Sequence, residues 1–299
     1  MDGFINLSKL RGMTSSDAVV AVRRVLPRGT KVGHGGTLDP DAAGVLPICV
    51  GRAARLFDYI IDKQKTYIAE LTLGVVTDTQ DSSGAVLSRA PVSASESDVR
   101  RAALSFVGDI AQIPPAYSAI QVSGKRMYDL ARAGQAPDLR PRRVRVDSIV
   151  YVRQTATDKH MLRILCGKGV YIRTICHDIG ALLGCGGHMS MLTRTAAGIF
   201  TIEHSVTLEE LRAVAADNEI QSLLYPLDAP LEHLPAIRLD NRHAFAVRNG
   251  NPVALPDCAL PGGTIARVYV NEEFAGIGEY SCGWVLFKAM LGLGTEAGA

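Results

Sequence analysis

The sequence lacks several features that mark whole classes of protein. Its 299 residues include only six cysteines, with no Cys-x-x-Cys pair, which excludes a disulfide-stapled secreted scaffold and favours reduced thiols. Its apolar runs, such as 42–50, are far shorter than the roughly 20 residues that cross a bilayer. The first residues show no basic segment followed by an apolar one, so no secretory signal is predicted. We therefore expect a cytoplasmic protein without a membrane span.

Motifs for metals and nucleotides are also missing. Cys176, His177, Cys185 and His188 follow none of the common zinc spacings, and a structural role is the favoured interpretation of these four residues. No glycine-rich stretch ends in Gly-Lys-Ser/Thr, and no Gly-x-Gly-x-x-Gly opens a helix after a strand. The sequence accordingly predicts no metal and no cofactor.

The composition that is present is typical of a folded globular protein in two parts. Hydrophobic residues make up 47% of the chain and charged residues 21%, close to the globular average. This length favours one large domain together with a smaller one. Pro226, Pro230 and Pro235 follow an acidic stretch and mark a boundary. We predict a first domain over 1–230 and a second over 231–299.

Charge is unevenly distributed, although the net charge is only +2. Residues 121–153 carry a net charge of +5, and residues 196–235 carry a net charge of −6. Such asymmetry suggests a basic surface for a polyanion and an acidic connector that the polyanion repels. Taken alone, the charge pattern is more often that of an ordinary solvated surface.

Residue periodicity predicts a mixture of strands and helices. A strand over 4–7 leads into a helix capped within 14–17, and strict alternation from Thr66 to Leu73 predicts another strand. Further segments have strand periodicity over 144–153 and 160–166, and helical periodicity over 53–61, 97–106, 128–133, 175–183 and 208–217. After Pro235, short segments separated by Gly, Pro and Asn turns are typical of a small antiparallel barrel.

The most distinctive local sequence is the loop 33–44, which reads Gly-His-Gly-Gly-Thr-Leu-Asp-Pro-Asp-Ala-Ala-Gly. Its glycines permit tight turns and close approach to a ligand, and Pro40 restricts Asp39 to extended backbone. The loop would therefore present the Asp39 carboxylate rigidly. Spacing alone leaves two interpretations open: a catalytic loop or, more commonly, a structural turn in which Asp39 caps its own backbone.

This loop closely resembles the active-site loop of the bacterial tRNA pseudouridine-55 synthases (the TruB-type family). The resemblance covers Val32 to Pro40 and continues through Gly44-Val45-Leu46-Pro47 and Gly51. Other blocks resemble that family in the same order: its opening strand at 4–15, its tyrosine strand at 65–67, its RNA-contacting thumb at 115–119 and 124–128, its arginine strand at 168–174, and the segment after it at 184–188 and 192–194. The tail from 236 to about 290 resembles a PUA-type RNA-binding barrel more weakly.

Two departures from the family pattern stand near this loop. Leu10 occupies the place where the family usually has proline after the lysine, which would loosen that turn. Asp41 adds a second acid two residues from Asp39, and we expect it to face solvent because two close carboxylates would raise the pKa of one of them.

The resemblance implies isomerisation of the uridine at position 55 of the tRNA T-loop to pseudouridine. The base would be flipped out, its glycosidic bond cleaved, the ring turned and C5 joined to C1′, with no cofactor. Asp39 matches the essential carboxylate and Arg173 its ion-pair partner. Tyr67 matches the catalytic aromatic residue that stacks on the flipped uracil and helps to remove its C5 proton. Tyr171 and Leu192 match residues that line the pocket, and His34 matches the residue that fills the space left by the base. Considered singly, each of these is more often a core or loop residue.

The same resemblance places RNA contacts on an insertion at about 118–143. The predicted phosphate-binding residues are Lys9, Lys125, Arg126, Arg132, Arg142 and Arg143, with further candidates at Arg11, Lys31, Arg52 and Arg55. The partner implied is the T-arm of tRNA. No membrane partner and no obligate protein partner is predicted, and the expected state is a monomer.

We therefore predict an α+β fold. It would have a pseudouridine synthase-like catalytic domain, built on a central mixed and largely antiparallel sheet flanked by helices, and a small C-terminal PUA-like β-barrel. A non-catalytic RNA-binding or tRNA-folding protein on the same scaffold is the main alternative, and a metal-dependent hydrolase using His34 and Asp39 is a remote one. Retention of Asp39, Tyr67 and Arg173 together favours the enzyme, because binding alone requires none of the three.

Overall fold

The larger part of the molecule is one sheet that carries the chemically distinctive residues. A computed structural model describes residues 1–61, 63–115, 121–122, 125–126 and 140–293. The sheet is formed by β1 (Gly3–Lys9), β2 (Val32–His34), β3 (Ala42–Val50), β4 (Lys65–Leu73), β7 (Gly108–Gln112), β10 (Arg142–Ala156), β11 (Lys159–Cys166), β12 (Gly187–Ala197) and β13 (Phe200–Thr201). Two small hairpins are formed by β5 (Val75–Thr77) with β6 (Val86–Arg89) and by β8 (Gln121–Val122) with β9 (Lys125–Arg126).

The strand order places segments distant in sequence side by side. It runs β1-β3-β12-β4-β11-β10-β7, with β2 beside β3 and β13 beside β12. Every neighbouring pair is antiparallel except β3 with β12, which is parallel. The prediction of a mixed, largely antiparallel sheet is confirmed. As a result β3, which follows the glycine-rich loop, lies beside β12, which carries Leu192 and Arg194. About 150 residues separate the two paired segments in the chain.

Local sequence explains why these elements form. In β4 the side chains of Tyr67, Ala69 and Leu71 are buried while those between them are half-buried, as the predicted alternation requires. The first helix begins at a capping box in which Thr14 and Asp17 satisfy each other's backbone N–H groups. Its buried residues, such as Val19 and Val22, recur at helical spacing and pack on the sheet.

The helices flank the sheet close to their predicted positions. They are α1 (Ser15–Val25), α2 (Phe57–Ile61, preceded by a 3₁₀ turn over Gly51–Leu56), α3 (Glu96–Leu104), α4 (Ile172–Leu182) and α5 (Leu208–Ala216). A further helix, α6 (Ala244–Arg248), packs in the C-terminal unit, where the sequence predicts only strands. Ser95 caps α3 and Thr207 caps α5 through capping boxes. The helix predicted over 128–133 falls outside the described residues.

One predicted strand is wrong. The segment that resembles an arginine strand turns at Gly169, whose φ is +79°, and Tyr171 then becomes the N-cap of α4. Arg173 is therefore the second residue of a helix. The helical spacing of the buried residues Ile175 and Ile179 outweighs the strand-like run Val-Tyr-Ile before Arg173.

A second sheet follows the proline-rich segment. It contains β14 (Ala236–Leu239), β15 (Val253–Ala254), β16 (Thr264–Val270), β17 (Glu273–Ser281) and β18 (Trp284–Met290), in the order β14-β16-β17-β18-β15. Only β14 with β16 is parallel. The turn pattern predicted a small antiparallel barrel, and the described strands form a curled β half-barrel that is antiparallel apart from β14 with β16.

The second sheet packs directly on the first. One apolar cluster includes Phe4 and Leu56 from the first sheet region and Ile277 and Leu291 from the C-terminal unit. Arg52 donates from Nη1 to the carbonyl oxygens of Leu291 (3.4 Å) and Gly292 (3.0 Å), and Arg55 donates to that of Met290 (2.7 Å). Arg52 and Arg55 thus help to hold the C-terminal segment, and their predicted binding of phosphate stays a prediction.

No helix in the described part of the chain combines the length and the apolar composition that crossing a membrane requires.

Candidate active site

The site is built around the loop 35–41, which joins β2 to β3. Gly36 has a φ of +121°, which side-chain-bearing residues rarely adopt, so it permits the turn. Gly44, at the start of β3, pairs with Arg194 of the parallel strand β12. A Cβ on Gly44 would lie 2.2 Å from the Arg194 carbonyl oxygen, so only glycine allows the two strands this close. The glycines therefore fix the path of the loop.

Arg194 holds the first half of this loop from beneath. It is buried at 1% exposure, and its Nε donates to the Val45 carbonyl oxygen at 2.7 Å. Its Nη2 donates to the Gly36 carbonyl (3.2 Å) and its Nη1 to the Thr37 carbonyl (3.3 Å). The sequence analysis assigned no role to Arg194. One guanidinium thus ties β12 to β3 and to the loop.

The second half of the loop is held by other donors. Ser15 Oγ donates to the Leu38 carbonyl (3.0 Å) and accepts the Leu38 N–H (2.9 Å). The Asp39 carbonyl accepts from the Ala42 N–H, and the Pro40 carbonyl accepts from Lys9 Nζ at 3.2 Å. Together with the Arg194 bonds, each of the five carbonyl groups from 36 to 40 accepts a hydrogen bond. Such a loop presents the Asp39 side chain in one fixed direction.

Lys9 is not the surface phosphate ligand that was predicted. Its side chain is 1% exposed, and Nζ donates to the carbonyl oxygens of Leu10 (3.0 Å), Met13 (2.6 Å) and Pro40 (3.2 Å). A buried ammonium group that is occupied by three main-chain carbonyls cannot at the same time bind solvent-exposed phosphate. Burial lowers the pKa of Lys9 to about 8, and the nearby Asp39 carboxylate partly opposes this shift.

The lowered pKa predicts an alkaline rise in stability. Between pH 8 and about 10.5 the unfolded chain holds a proton on Lys9 that the folded protein has released. The free energy of unfolding should therefore increase with pH in that window, by up to about 3 kcal/mol. Urea unfolding at pH 7.5 and pH 10 would measure this increase, and the Lys9→Met variant should lack it. Equal pH dependence of the two proteins would contradict the assignment.

Arg173 forms the centre of the site by bridging two carboxylates. Its Nε lies 3.1 Å from Asp39 Oδ2, and its Nη1 lies 3.3 Å from Asp81 Oδ2 and 3.3 Å from the Thr79 carbonyl oxygen. The Arg173 side chain is 6% exposed, whereas that of Asp39 is 38% exposed. The ion pair predicted between Asp39 and Arg173 is present. Because the guanidinium lies behind the carboxylate, a ligand that enters the site meets Asp39 first.

Asp81 is a site residue that the sequence analysis missed. It follows β5 in a turn, and its own oxygens accept hydrogen bonds from Thr79 Oγ1 (2.7 Å), the Ser83 N–H (3.0 Å) and Ser83 Oγ (2.6 Å). Gln80, just before it, has a φ of +63°, which orients the turn. An acid among hydroxyl residues is common in ordinary turns, so only its pairing with Arg173 distinguishes Asp81.

The environment of Asp39 opposes its ionisation. Burial raises the pKa of Asp39 above its usual value, the Arg173 guanidinium lowers it, and the Asp81 carboxylate raises it again. The net shift is upward. Arg173 therefore supplies the main attraction that keeps a weakly solvated carboxylate charged, and such a carboxylate is more basic and more nucleophilic than one in water.

Tyr67 lies on β4, directly opposite Arg194 on β12. Its side chain is buried at 8% exposure. Burial raises the pKa of Tyr67, while the nearby Arg194 guanidinium lowers it to a smaller extent. The phenol consequently stays protonated at neutral pH. Arg194 thus contacts the loop that carries Asp39 and also lies beside the ring of Tyr67.

The three predicted pocket residues lie on elements that meet around this point. His34 ends β2 and pairs with Ile48 on β3, and burial with the Arg194 charge lowers its pKa, which keeps the imidazole neutral. Tyr171 is half-buried at the start of α4, two residues before Arg173. Leu192 is buried on β12, two residues before Arg194.

Of the predicted RNA-binding residues, two have described side chains on the surface. Arg142 and Arg143 are exposed at the start of β10. Lys125 and Arg126 form β9, whose backbone alone is described, and Arg132 lies outside the described residues. Within the described ranges, no three His, Cys, Asp or Glu side chains are grouped so that they could hold a metal ion.

Comparison with protein families covers nearly the whole chain. Residues 23–172 match the TruB family pseudouridylate synthase (N terminal domain), residues 173–232 match the tRNA pseudouridylate synthase B C-terminal domain, and residues 235–284 match the C-terminal domain of pseudouridine synthase II TruB. The curated tRNA pseudouridine synthase B of Alkaliphilus oremlandii is 43% identical over 282 residues, 93% of each chain. That of Clostridioides difficile is 42% identical over 288 residues, 94% of this chain and 95% of the relative.

Solved structures give the same result for the fold. A chain in the crystal structure of a Cbf5-Nop10-Gar1 complex superposes with a TM-score of 0.71 and 27% identity over 98% of this chain and 81% of that one. A chain of the archaeal box H/ACA sRNP Nop10-Cbf5 complex superposes with a TM-score of 0.72 and 25% identity over 97% and 86% of the two chains. Fold and relatives together define a pseudouridine synthase, an isomerase that acts on RNA. The chain belongs to the TruB family, and its activity is that of a tRNA pseudouridine synthase.

The bridging geometry predicts the effect of neutralising Asp81. In Asp81→Asn the Arg173 guanidinium loses one of its two carboxylates and is held less firmly beside Asp39. We expect kcat to fall about 10- to 100-fold with tRNA affinity unchanged, because misplacement of about 1 Å has that cost. Single-turnover rates and tRNA titrations test this, with the exposed Asp58→Asn as matched control.

Proposed function

We propose that this protein converts uridine 55 in the T-loop of tRNA to pseudouridine, with Asp39 as the essential carboxylate. The bond between C1′ and N1 breaks, the base turns within the pocket, and C1′ bonds to C5. The proton leaves C5 and N1 regains one, so atoms and electrons balance without an external donor or acceptor. The reaction requires a carboxylate that reaches the sugar or the base ring while it is charged.

One observation carries this proposal. The partly exposed Asp39 carboxylate is backed by the buried Arg173 guanidinium at 3.1 Å, on a loop whose carbonyl groups from 36 to 40 are all hydrogen-bonded. A plain turn in which Asp39 caps its own backbone would need no buried arginine behind the carboxylate. Preorganised charge of this kind, aimed at a ligand, is typical of a catalytic group.

The surrounding residues fit the handling of a flipped base. A base inside a folded loop is stacked, and extruding it costs a few kcal/mol that contacts in the pocket offset. We propose that Tyr67 stacks on the extruded uracil, that Tyr171 and Leu192 line the pocket, and that His34 fills the gap left in the RNA. The raised pKa of Tyr67 keeps its hydroxyl protonated, which fits stacking better than removal of the C5 proton.

RNA would be held by exposed basic residues. Arg142 and Arg143 project from the start of β10, and Lys125, Arg126 and Arg132 belong to the predicted insertion 118–143. Phosphate contacts of this kind make affinity fall steeply with salt. We propose that the catalytic domain over 1–230 binds the T-arm through this insertion, and that the PUA-like unit over 231–299 assists docking of a protein that acts as a monomer.

Tritium release tests the proposal. Unmodified tRNA labelled with tritium at C5 of uridine should lose one label per molecule on incubation with the protein, and the new pseudouridine should map to position 55. Tight binding without release would instead support the non-catalytic RNA-binding alternative. Release from another position would retain the enzyme class and overturn the T-loop assignment.

A further inference from the structure

Gln112 is a buried side chain outside the residues considered so far. It is the last residue of β7 and is 3% exposed. Its Oε1 accepts the Tyr171 N–H at 2.8 Å, and its Nε2 donates to the Tyr171 carbonyl oxygen at 3.0 Å. A single side-chain amide therefore binds both polar main-chain groups of one residue, 59 positions along the chain.

The residue that Gln112 holds is the start of α4. Tyr171 is the N-cap of that helix, and its side chain makes no capping hydrogen bond to the first turn. Its carbonyl oxygen also accepts the first helical hydrogen bond, from the Ile175 N–H at 3.2 Å. Arg173 lies two residues farther along. The position of the Tyr171 backbone therefore determines the position of the Arg173 backbone, from which the guanidinium extends to Asp39 and Asp81.

The main chain of Gln112 has a second connection. It pairs with Arg142 in the antiparallel ladder between β7 and β10, and Arg142 is one of the exposed residues proposed to bind RNA phosphate. Gln112 is thus joined through its backbone to the strand that carries proposed RNA contacts. Through its side chain it is joined to the helix that carries Arg173.

We propose that Gln112 is a positioning residue for the reaction, which fixes the first turn of α4 in register with β10 so that Arg173 is held between Asp39 and Asp81. This inference rests on the proposed function for its catalytic consequence. Gln112 contacts no reacting atom and acts only through Tyr171 and Arg173. A shift of α4 by about 1 Å would separate the guanidinium from one carboxylate, at a cost of about 10²-fold in rate.

The test is Gln112→Ala compared with Gln154→Ala, which removes an exposed glutamine whose Nε2 donates to the Thr157 carbonyl in the β10–β11 hairpin. We expect kcat to fall about 10- to 100-fold in Gln112→Ala, with KM and tRNA affinity within about twofold of the wild type. Gln112→Glu, which places a buried carboxylate oxygen against the Tyr171 carbonyl oxygen in place of the donor, should lower kcat at least as far. Gln154→Ala should match the wild type.

A second measurement does not depend on turnover. The carboxyl carbon of Asp39 can be titrated by ¹³C NMR in the free protein, where its pKa reports the charges around it: Arg173, Lys9, Asp81 and Asp41. In Gln112→Ala this pKa should rise, because the attraction from Arg173 weakens. An unchanged Asp39 titration together with unchanged kcat would overturn the proposal. An inactive wild type whose Asp39 titration shifts in Gln112→Ala would reject the proposed function while retaining the positioning role.

Discussion

Replacing Asp39 by asparagine is expected to abolish turnover and leave tRNA affinity almost unchanged. The substitution conserves size and removes the negative charge that Arg173 faces at 3.1 Å. An amide can neither attack carbon nor accept a proton as a carboxylate does, so we expect a loss in kcat on the order of 10⁴-fold or more. Affinity should persist because it derives mostly from phosphate contacts, which lie elsewhere on the surface.

Asp41 provides a matched control for this experiment. It lies two residues from Asp39, its side chain is 49% exposed, and its nearest cation is Arg11 at 3.9 Å. Asp41→Asn should therefore retain wild-type turnover. Tritium release under single-turnover conditions gives the rates, and filter binding gives the affinities. If Asp39→Asn kept a tenth of the wild-type rate, the carboxylate would not be the essential group.

Replacing Arg194 by methionine is expected to reduce both stability and rate. The change leaves the carbonyl groups of Gly36, Thr37 and Val45 without their charged donor, and the bonds to Gly36 and Val45 are buried. Unsatisfied buried carbonyls cost about 1–3 kcal/mol each, so we expect the free energy of unfolding to fall by about 3 kcal/mol or more. The loop would no longer be fixed beneath Asp39, and kcat should fall at least about 10²-fold in the fraction that remains folded.

Arg163→Met is the control for stability. Arg163 lies on β11 of the same sheet, where its side chain is exposed, so the same substitution should change the free energy of unfolding by less than about 0.5 kcal/mol. Urea unfolding compares the two variants, and active-site titration corrects the rates for folded protein. Equal stability of Arg194→Met and Arg163→Met would show that the loop does not depend on the buried guanidinium.

Much of the fold could be predicted because local signals agree with the final structure. The alternation from Tyr67 to Leu73 gives β4, and Thr14 caps the first helix within the segment 14–17 that the sequence indicates. The loop around Asp39 was also predictable, since glycine permits turns that other residues rarely adopt and proline restricts the residue before it, and both effects are local. These features depend on residues that are close together in the chain.

The remaining parts of the site depend on contacts between distant segments. Asp81 pairs with Arg173 across 92 positions, and nothing in its own turn indicates this. Lys9 and Arg194 are cations that a sequence places at the surface by default, yet each is buried because loop carbonyls supply acceptors. Gln112 likewise binds Tyr171 only after β7 and α4 are packed. The predicted roles of Lys125, Arg126 and Arg132 in RNA binding stay predictions.

One arrangement is central to the proposed reaction: a single extruded uridine faces the oxygen of Asp39 that is turned away from Arg173. A crystal structure of Asp39→Asn bound to an unmodified T-arm stem-loop measures this directly. We predict that the nucleoside at position 55 lies outside the helical stack, with its ring against Tyr67 and its C1′ or pyrimidine ring within about 3.5 Å of the residue 39 side chain. A T-loop bound with that nucleoside still stacked, or lodged away from residue 39, would contradict the account.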